Sequence, residues 1–292
     1  MTLRHLRIFT TVYETGGTTA AAEKLHIAQP SVSLAISEME KYYGVRFFDR
    51  ISRRLMVTDA GRRLYDYAKH IISLFDEMET EMLSQNAAGT VRVGSTMTIG
   101  STILPDVLYR MKNEHPDISV ISTINKIAVL MELLKKNSID IALLETIPHD
   151  PSLIEIPFYN DHMCIICSPH DPHAGRTDLD AKVLEEKDFF FRDKGSAGRD
   201  IVDSILLLND LNVKSTMESA SPQAIVKSVA LGLGYSILPY PLIKDDLASG
   251  TIAEFSVKGM ELKRTFSIVY HKNKYLTKSA ASFIANIQNY SR

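Results

Sequence analysis

The first sixty residues confine the fold most tightly, because three apolar stripes there are separated by residues that stop helices. Leu3, Leu6, Phe9, Val12 and Tyr13 recur at three- and four-residue spacing, the buried face of one amphipathic helix, and Gly16-Gly17 ends it. Thr18 or Thr19 is placed to cap a second, short helix with Ala20, Ala21, Ala22 and Leu25, whose small side chains admit a neighbouring helix at close range. Gln29-Pro30 opens a third, since proline is accepted only in the first turn of a helix. Val32, Ala35, Ile36, Met39 and Tyr43 form its inner face, and Gly44 stops it. Its outer face shows Ser31, Ser33, Leu34 and Ser37, short enough for the helix to lie deep in a groove. Two short helices about a tight turn, the second small and polar outside, make a helix-turn-helix whose second helix enters the DNA major groove. Phe47 to Thr58 then reads as a two-stranded wing: apolar anchors, a basic tip of Arg50, Arg53 and Arg54, and a β-branched return.

Charge is distributed to match. Residues 1–63 hold 10 Lys and Arg against 6 Asp and Glu, whereas the remainder holds 23 against 29. A basic head on an acidic body is suited to meet a polyanion with the head alone. The run Ala20-Ala21-Ala22-Glu23-Lys24-Leu25-His26-Ile27-Ala28-Gln29-Pro30-Ser31-Val32-Ser33, then Ile36, Met39-Glu40, Gly44-Val45, Phe48, Arg50 and Thr58-Asp59-Ala60-Gly61, resembles the N-terminal domain of LysR-type transcriptional regulators without a gap. The rest of the chain is similar to that family in length and layout. The resemblance implies a DNA-binding transcriptional regulator with an all-α winged helix-turn-helix domain over 1–58 and a linker helix over 59–89. An α/β effector domain over 90–292 completes it, two-lobed like the periplasmic solute-binding proteins. Thr18, Gln29, Pro30, Ser31, Ser33, Ser37 and the three wing arginines are then the expected contacts to double-stranded DNA, with Gln29 reading adenine through its amide. Two positions depart from the pattern: many relatives carry Ser or Thr at the position of Ala28, and Arg or Lys at that of Leu34.

Beyond Thr58, which can cap a further helix with Asp59 in its first turn, Leu64, Ala68, Ile71, Phe75, Met78 and Met82 step by alternating fours and threes. That is a heptad seam, the period of two helices packing together, and the family uses its linker helix so. A homodimer is expected, and a homotetramer is common among relatives. Asn86-Ala87-Ala88-Gly89 reads as a joint.

Past residue 90, short apolar strands (91–93, 118–124, 139–144) alternate with helical stretches (104–111, 129–136), and the pattern restarts after Pro157 with strands at 163–167, 189–191 and 213–217 and helices at 197–208 and 222–231. Strand–helix–strand order argues for parallel sheet covered by helices. The family's lobes fall at 90–161 plus 268–292 and at 162–267, with crossings near Asp161–Met163 and Thr265–Ile268. Three hydroxyl-rich turns could line the cleft between them: Ser95-Thr96-Met97-Thr98, Gly195-Ser196-Ala197-Gly198, and Ser219-Ala220-Ser221-Pro222. Helix N-termini with hydroxyl donors hold carboxylate, sulfate or phosphate, so Ser95, Thr96, Thr98, Ser196 and Ser221, with Asn125 at another strand end, are the expected contacts to a small anionic effector. Gly232 and Gly234 are expected to serve a tight helix-to-strand turn.

Cys164-Ile165-Ile166-Cys167 spells a C-x-x-C, but residues three apart on a strand face opposite sides and cannot chelate one ion. No Walker loop, dinucleotide fingerprint or nucleophile elbow is present, and Asp140 and Glu145 flank a strand without an assigned partner. No catalytic residue, metal or cofactor is therefore expected. Two cysteines, no apolar run near the ~18 residues of a membrane span and no signal-peptide pattern give a cytoplasmic expectation without membrane contact. A free solute-binding protein, or a small-molecule enzyme with an appended DNA-binding-like head, is the alternative.

Overall fold

The computed structural model describes residues 1–51, 54–83, 89–145, 150–185 and 187–291. Its first three helices are α1 (Leu3–Thr15), α2 (Thr18–Leu25) and α3 (Gln29–Tyr43). Gly16 and Gly44 end α1 and α3 in left-handed backbone, with φ of 71° and 68°. The expected threonine cap of α2 is corrected: Gly17 occupies the N-cap and Thr18 is already helical. Pro30 sits in the first turn of α3, and Ala28 at the N-cap supplies no side-chain bond. Val32, Ala35, Ile36 and Met39 are buried as the spacing requires, but Tyr43, expected inside, is exposed in the last turn.

The wing is the antiparallel pair β1 (Phe48–Ile51) and β2 (Arg54–Val57). Glu40 fixes its start by accepting from the backbone N–H groups of Phe47 and Phe48 at 2.8 and 3.2 Å. Thr58 caps α4 (Asp59–Leu83), its hydroxyl accepting from Gly61 N–H at 3.0 Å. Phe9 lies at the centre of this unit, 5.4 Å from the rings of both Phe47 and Phe48, while Tyr13 stacks on Tyr65 at 3.8 Å. Tyr65 also donates to Glu14, which accepts from Lys69 as well.

The chain forms two compact units, one carried by α1 to α4, the other holding the chain from β3 onward apart from residues 135–138 and 273–275. In the second, β3 (Thr90–Ser95), α5 (Met97–Thr102), α6 (Leu104–Glu114), β4 (Ser119–Ile124), α7 (Ile127–Lys135) and β5 (Ile141–Leu144) lead into β6 (Leu153–Cys167). There follow β7 (Asp188–Arg192), α8 (Ala197–Leu208), β8 (Lys214–Ser219), α9 (Pro222–Ala230), β9 (Ser236–Pro239), α10 (Tyr240–Ala248), β10 (Ala253–Phe255), β11 (Lys263–His271) and α11 (Lys278–Gln288).

Two lobes share β6. In the first, β3 pairs in parallel with β4 and β5, and β11 runs antiparallel between β5 and the front of β6. In the second, the back of β6 pairs antiparallel with β9 and β10, and β7 pairs in parallel with β8. Pro157, read from sequence as a break, lies inside β6, beside a register shift opposite Phe266 and Ser267, a place where proline costs no ladder bond. The strand passes from β11 to β9 between His162 and Met163. The return comes at Lys263, before the expected Thr265–Ile268, because Lys263 to Thr265 already pair with His162 to Asn160. Gly232 has φ of 76°, and at Gly234 a Cβ would strike the Asp188 backbone, so both glycines serve the turn before β9. Cys164 and Cys167 are free and buried on opposite faces of β6, in separate cores, and burial pushes both thiols up, Cys167 to about 12. Among the described residues no helix is long and apolar enough to cross a membrane.

Candidate nucleic-acid interface and effector cleft

The outer face of α3 is open: Gln29, Pro30, Ser31, Leu34 and Ser37 are exposed, with Ser33 and Thr18 half-buried beside them. The structure brings three of the expected DNA contacts together. Gln29 Nε2 donates to Thr18 Oγ1 at 3.0 Å and to Ser33 Oγ at 2.8 Å, so α2 and α3 hold the amide in one place. Both amide hydrogens are thereby engaged, and one must be released for a bidentate bond to adenine. Leu34, 60% exposed on the same face, is an apolar tip of the kind that meets a thymine methyl. Arg50 and Arg54 lie in β1 and β2 at the wing's turning end, and Arg53 falls outside the described residues.

The heptad seam divides. Ala68 is buried, and Leu64 packs against the core of its own unit, so this end of the stripe belongs to the head and not to a partner. Ile71 and Met78 are exposed at 47% and 46%, as are Tyr67 and Leu74, while Phe75 is half-buried. The side chain of Met82 lies outside the described residues. The open stripe is thus Tyr67, Ile71, Leu74 and Met78, again in steps of four, three and four.

Between the lobes lies a cavity of about 220 Å³. Thr96, Thr98, Asn125 and Ser196 line it, as expected. Ser95 and Ser221 do not. Ser95 is fully buried and donates to the Thr96 carbonyl, and Ser221 is occupied in capping α9 through Ala224 N–H. Asn125 accepts from the N–H of Lys126, and Lys126 in turn bridges to Asp193 at 2.5 Å and donates to the Lys194 carbonyl at 2.8 Å. Ser196, N-cap of α8, has a hydroxyl oxygen that is buried with no hydrogen-bond partner.

The sequence left Arg192 unremarked and marked Glu145 only as flanking a strand without an assigned partner. Glu145 directly follows β5 and pairs with Arg264 on β11 at 2.9 Å, and Arg264 pairs with Asp161 on β6 at 2.6 Å. Arg192, at the end of β7, is 7% exposed and donates to the carbonyls of Ser219 and Ala220. Burial pulls the Arg192 guanidinium below its ordinary pKa, opposed by Asp193 and Glu145, and burial raises the Asp161 carboxyl despite Arg264. Asp140, the other flanking carboxylate, is bound to Arg92 instead. These pairings join residues up to 119 positions apart, which no local pattern reveals.

Residues 3–62 match the family model described as bacterial regulatory helix-turn-helix protein, lysR family, and residues 84–292 match the LysR substrate binding domain. The HTH-type transcriptional regulator YeiE of Escherichia coli K12 is 31% identical over 284 residues, 97% of this chain and 96% of that protein. CysL of Bacillus subtilis is 30% identical over 286 residues, 97% and 96% of the two chains. A full-length OxyR variant from Pseudomonas aeruginosa superposes with a TM-score of 0.70 at 22% identity, over 99% of this chain and 94% of its own. The regulatory domain of Synechocystis CcmR, solved with 2-PG, gives 0.64 at 21% identity over 69% and 96%. With both parts of the architecture matched in order, this chain belongs to the LysR-type transcriptional regulators, DNA-binding proteins with a helix-turn-helix head and an effector-binding domain.

Proposed function

We propose that two copies of this chain, or two such dimers paired as a tetramer, read a two-fold promoter site in the cytoplasm. One α3 lies in each major groove and the wing arginines rest on phosphate. A small anion bound between the lobes favours one lobe arrangement over the other. Only such a difference in affinity lets the ligand alter DNA binding.

The observation that carries the effector half is Ser196. Its buried, partnerless hydroxyl opens α8 inside the cavity beside Arg192. A free hydroxyl, a guanidinium and a helix N-terminus together favour a carboxylate, sulfate or phosphate. The regulatory domain of CcmR with 2-PG, and the effector-binding domain of QuiR with shikimate, agree with an acidic occupant.

Anisotropy of a labelled duplex from upstream of the gene, against a scrambled duplex, tests the DNA half. The native duplex is expected to win, with affinity falling ~10³-fold or more between about 50 and 200 mM salt. Equal, weak binding to both duplexes overturns the assignment. For the effector half, Ser196→Val is expected to weaken calorimetric binding of small acids, and unchanged affinity removes Ser196 from the site.

A further inference from the structure

Thr96 reaches the cavity from the first lobe, but its hydroxyl hydrogen is already engaged: Oγ1 donates to Glu145 Oε1 at 2.9 Å. Glu145 is fixed in turn, its other oxygen accepting from Arg264 Nη1 at 2.9 Å, with side chains only 1% and 4% exposed. Asp161 holds Arg264 at Nε, 2.6 Å away, so the carboxylate is tied to the shared strands β6 and β11 and cannot swing aside. Thr96 therefore shows the cavity lone pairs and no hydrogen. Glu145 adds a negative charge with acceptor capacity to spare, because a carboxylate accommodates about four hydrogens and these two bonds use half of that. The opposing wall offers the Arg192 guanidinium and the partnerless Ser196 hydroxyl, and the carboxylate there, Asp193, is taken up by Lys126 at 2.5 Å.

We infer that this cleft selects anions that also carry a hydrogen-bond donor, an ammonium or a hydroxyl beside the acid group. The acid group faces Arg192 and Ser196, and the donor faces Glu145 and Thr96. The inference rests on the effector reading of the cleft and adds a requirement to it. A plain anion of the same size leaves Thr96 and Glu145 buried against a group with no hydrogen to give, and a second acidic group on that side meets the charge of Glu145 directly. The cavity, about 220 Å³, is smaller than a drug-sized pocket and suits an amino or hydroxy acid. Glu145 is then the residue that sets specificity, and Thr96, placed by sequence as a donor to an anion, works as an acceptor.

Calorimetric titration of the full-length protein with matched acids is the test, using propionate, lactate and alanine as one series and succinate, malate and aspartate as another. In at least one series the hydroxy or amino acid is expected to bind about tenfold or more tighter than its parent, the scale of one charge-assisted hydrogen bond. The lactate and alanine arms separate hydroxyl from ammonium. Glu145→Gln keeps the shape, removes the charge and is expected to shrink that gap to about threefold or less. Thr96→Val, which leaves the Glu145–Arg264 pair in place, narrows it as well and serves if the Glu145 variant does not fold. Equal or tighter binding of the parent acids overturns the donor requirement while leaving the cleft an anion site. Binding by none of the six overturns the effector reading of the cleft, and the inference with it.

Discussion

Replacing Gln29 with alanine separates base reading from mere DNA affinity. A bidentate amide–adenine pair is worth about 1–3 kcal/mol of discrimination against the wrong base. In this head the amide nitrogen already donates to Thr18 and Ser33, at 3.0 and 2.8 Å, so one of those bonds must open before Nε2 can reach adenine N7. Opening it costs about 0.5–1.5 kcal/mol, which brings the net effect to about 0.5–1.5 kcal/mol per half-site. A dimer presents two heads, so Gln29→Ala is expected to reduce the preference for the native operator by about 1–3 kcal/mol, or roughly 5- to 150-fold. Binding to non-specific duplex should barely change, since the amide carries no charge. Competition anisotropy with operators altered one base pair at a time measures the preference directly. Arg53→Ala is the contrast: it is expected to weaken all sequences alike and lower the salt slope by about 1 for each phosphate no longer neutralised. If Gln29→Ala reduces affinity equally for native and altered operators, the amide is a scaffold between α2 and α3 and reads no base.

Gly61→Ala would push a Cβ onto the Phe47 carbonyl and to 3.0 Å from Val57 Cγ1. It is expected to destabilise the head by about 1–3 kcal/mol in denaturant unfolding, and a stabilised variant would show that α4 can shift away from the wing. Burial pushes the Glu14 carboxyl up, but Lys69, Tyr65 and Lys24 outweigh it and hold the group below the ordinary 4.5. Its stabilising effect is therefore present above about pH 4.5 and lost as pH falls through the lowered value. Wild type should accordingly lose its margin over Glu14→Gln on acidification, and a margin independent of pH refutes the pairing. Ile71→Glu with Met78→Glu charges the open stripe of α4 and is expected to yield a monomer in sedimentation, whereas an unchanged dimer would place the interface elsewhere.

The head was legible because its signals are local. Gly16, Gly44 and Pro30 act within one turn of where they stand, and the apolar spacing between them describes one buried face at a time. The same spacing misled at Tyr43, which in the last turn of α3 meets the edge of Phe47, 5.9 Å between ring centres, yet stays exposed. It was ambiguous at Leu64 and Ala68, since a heptad does not say whether its partner is the chain's own domain or a second copy. Pro157 hid the front half of β6, because proline inside a strand is allowed only beside an irregularity that the pairing strand supplies. Serine and threonine at helix starts were found readily but not sorted. Thr96 and Ser196 reach the cavity, whereas Ser95 and Ser221 bond within their own turns. Glu145 was visible as a strand-flanking carboxylate, but its role was not, as that depends on Arg264, far along the chain.

The passage of β6 between lobes has a modular consequence. Met163 N–H bonds to the Leu262 carbonyl at 2.8 Å, and His162 pairs with Lys263, so the chain leaves the first lobe and returns to it at adjacent points. Every buried core residue of the second lobe falls between Met163 and Val257, and every one of the first falls outside that stretch. The second lobe is a detachable cassette set into a hairpin. Exchanging residues 163–262 for the equivalent stretch of a relative would cut only two neighbouring backbone bonds, graft a foreign Arg192–Ser196 wall opposite the native Glu145, and turn the cleft into a chimera whose two halves can be chosen separately.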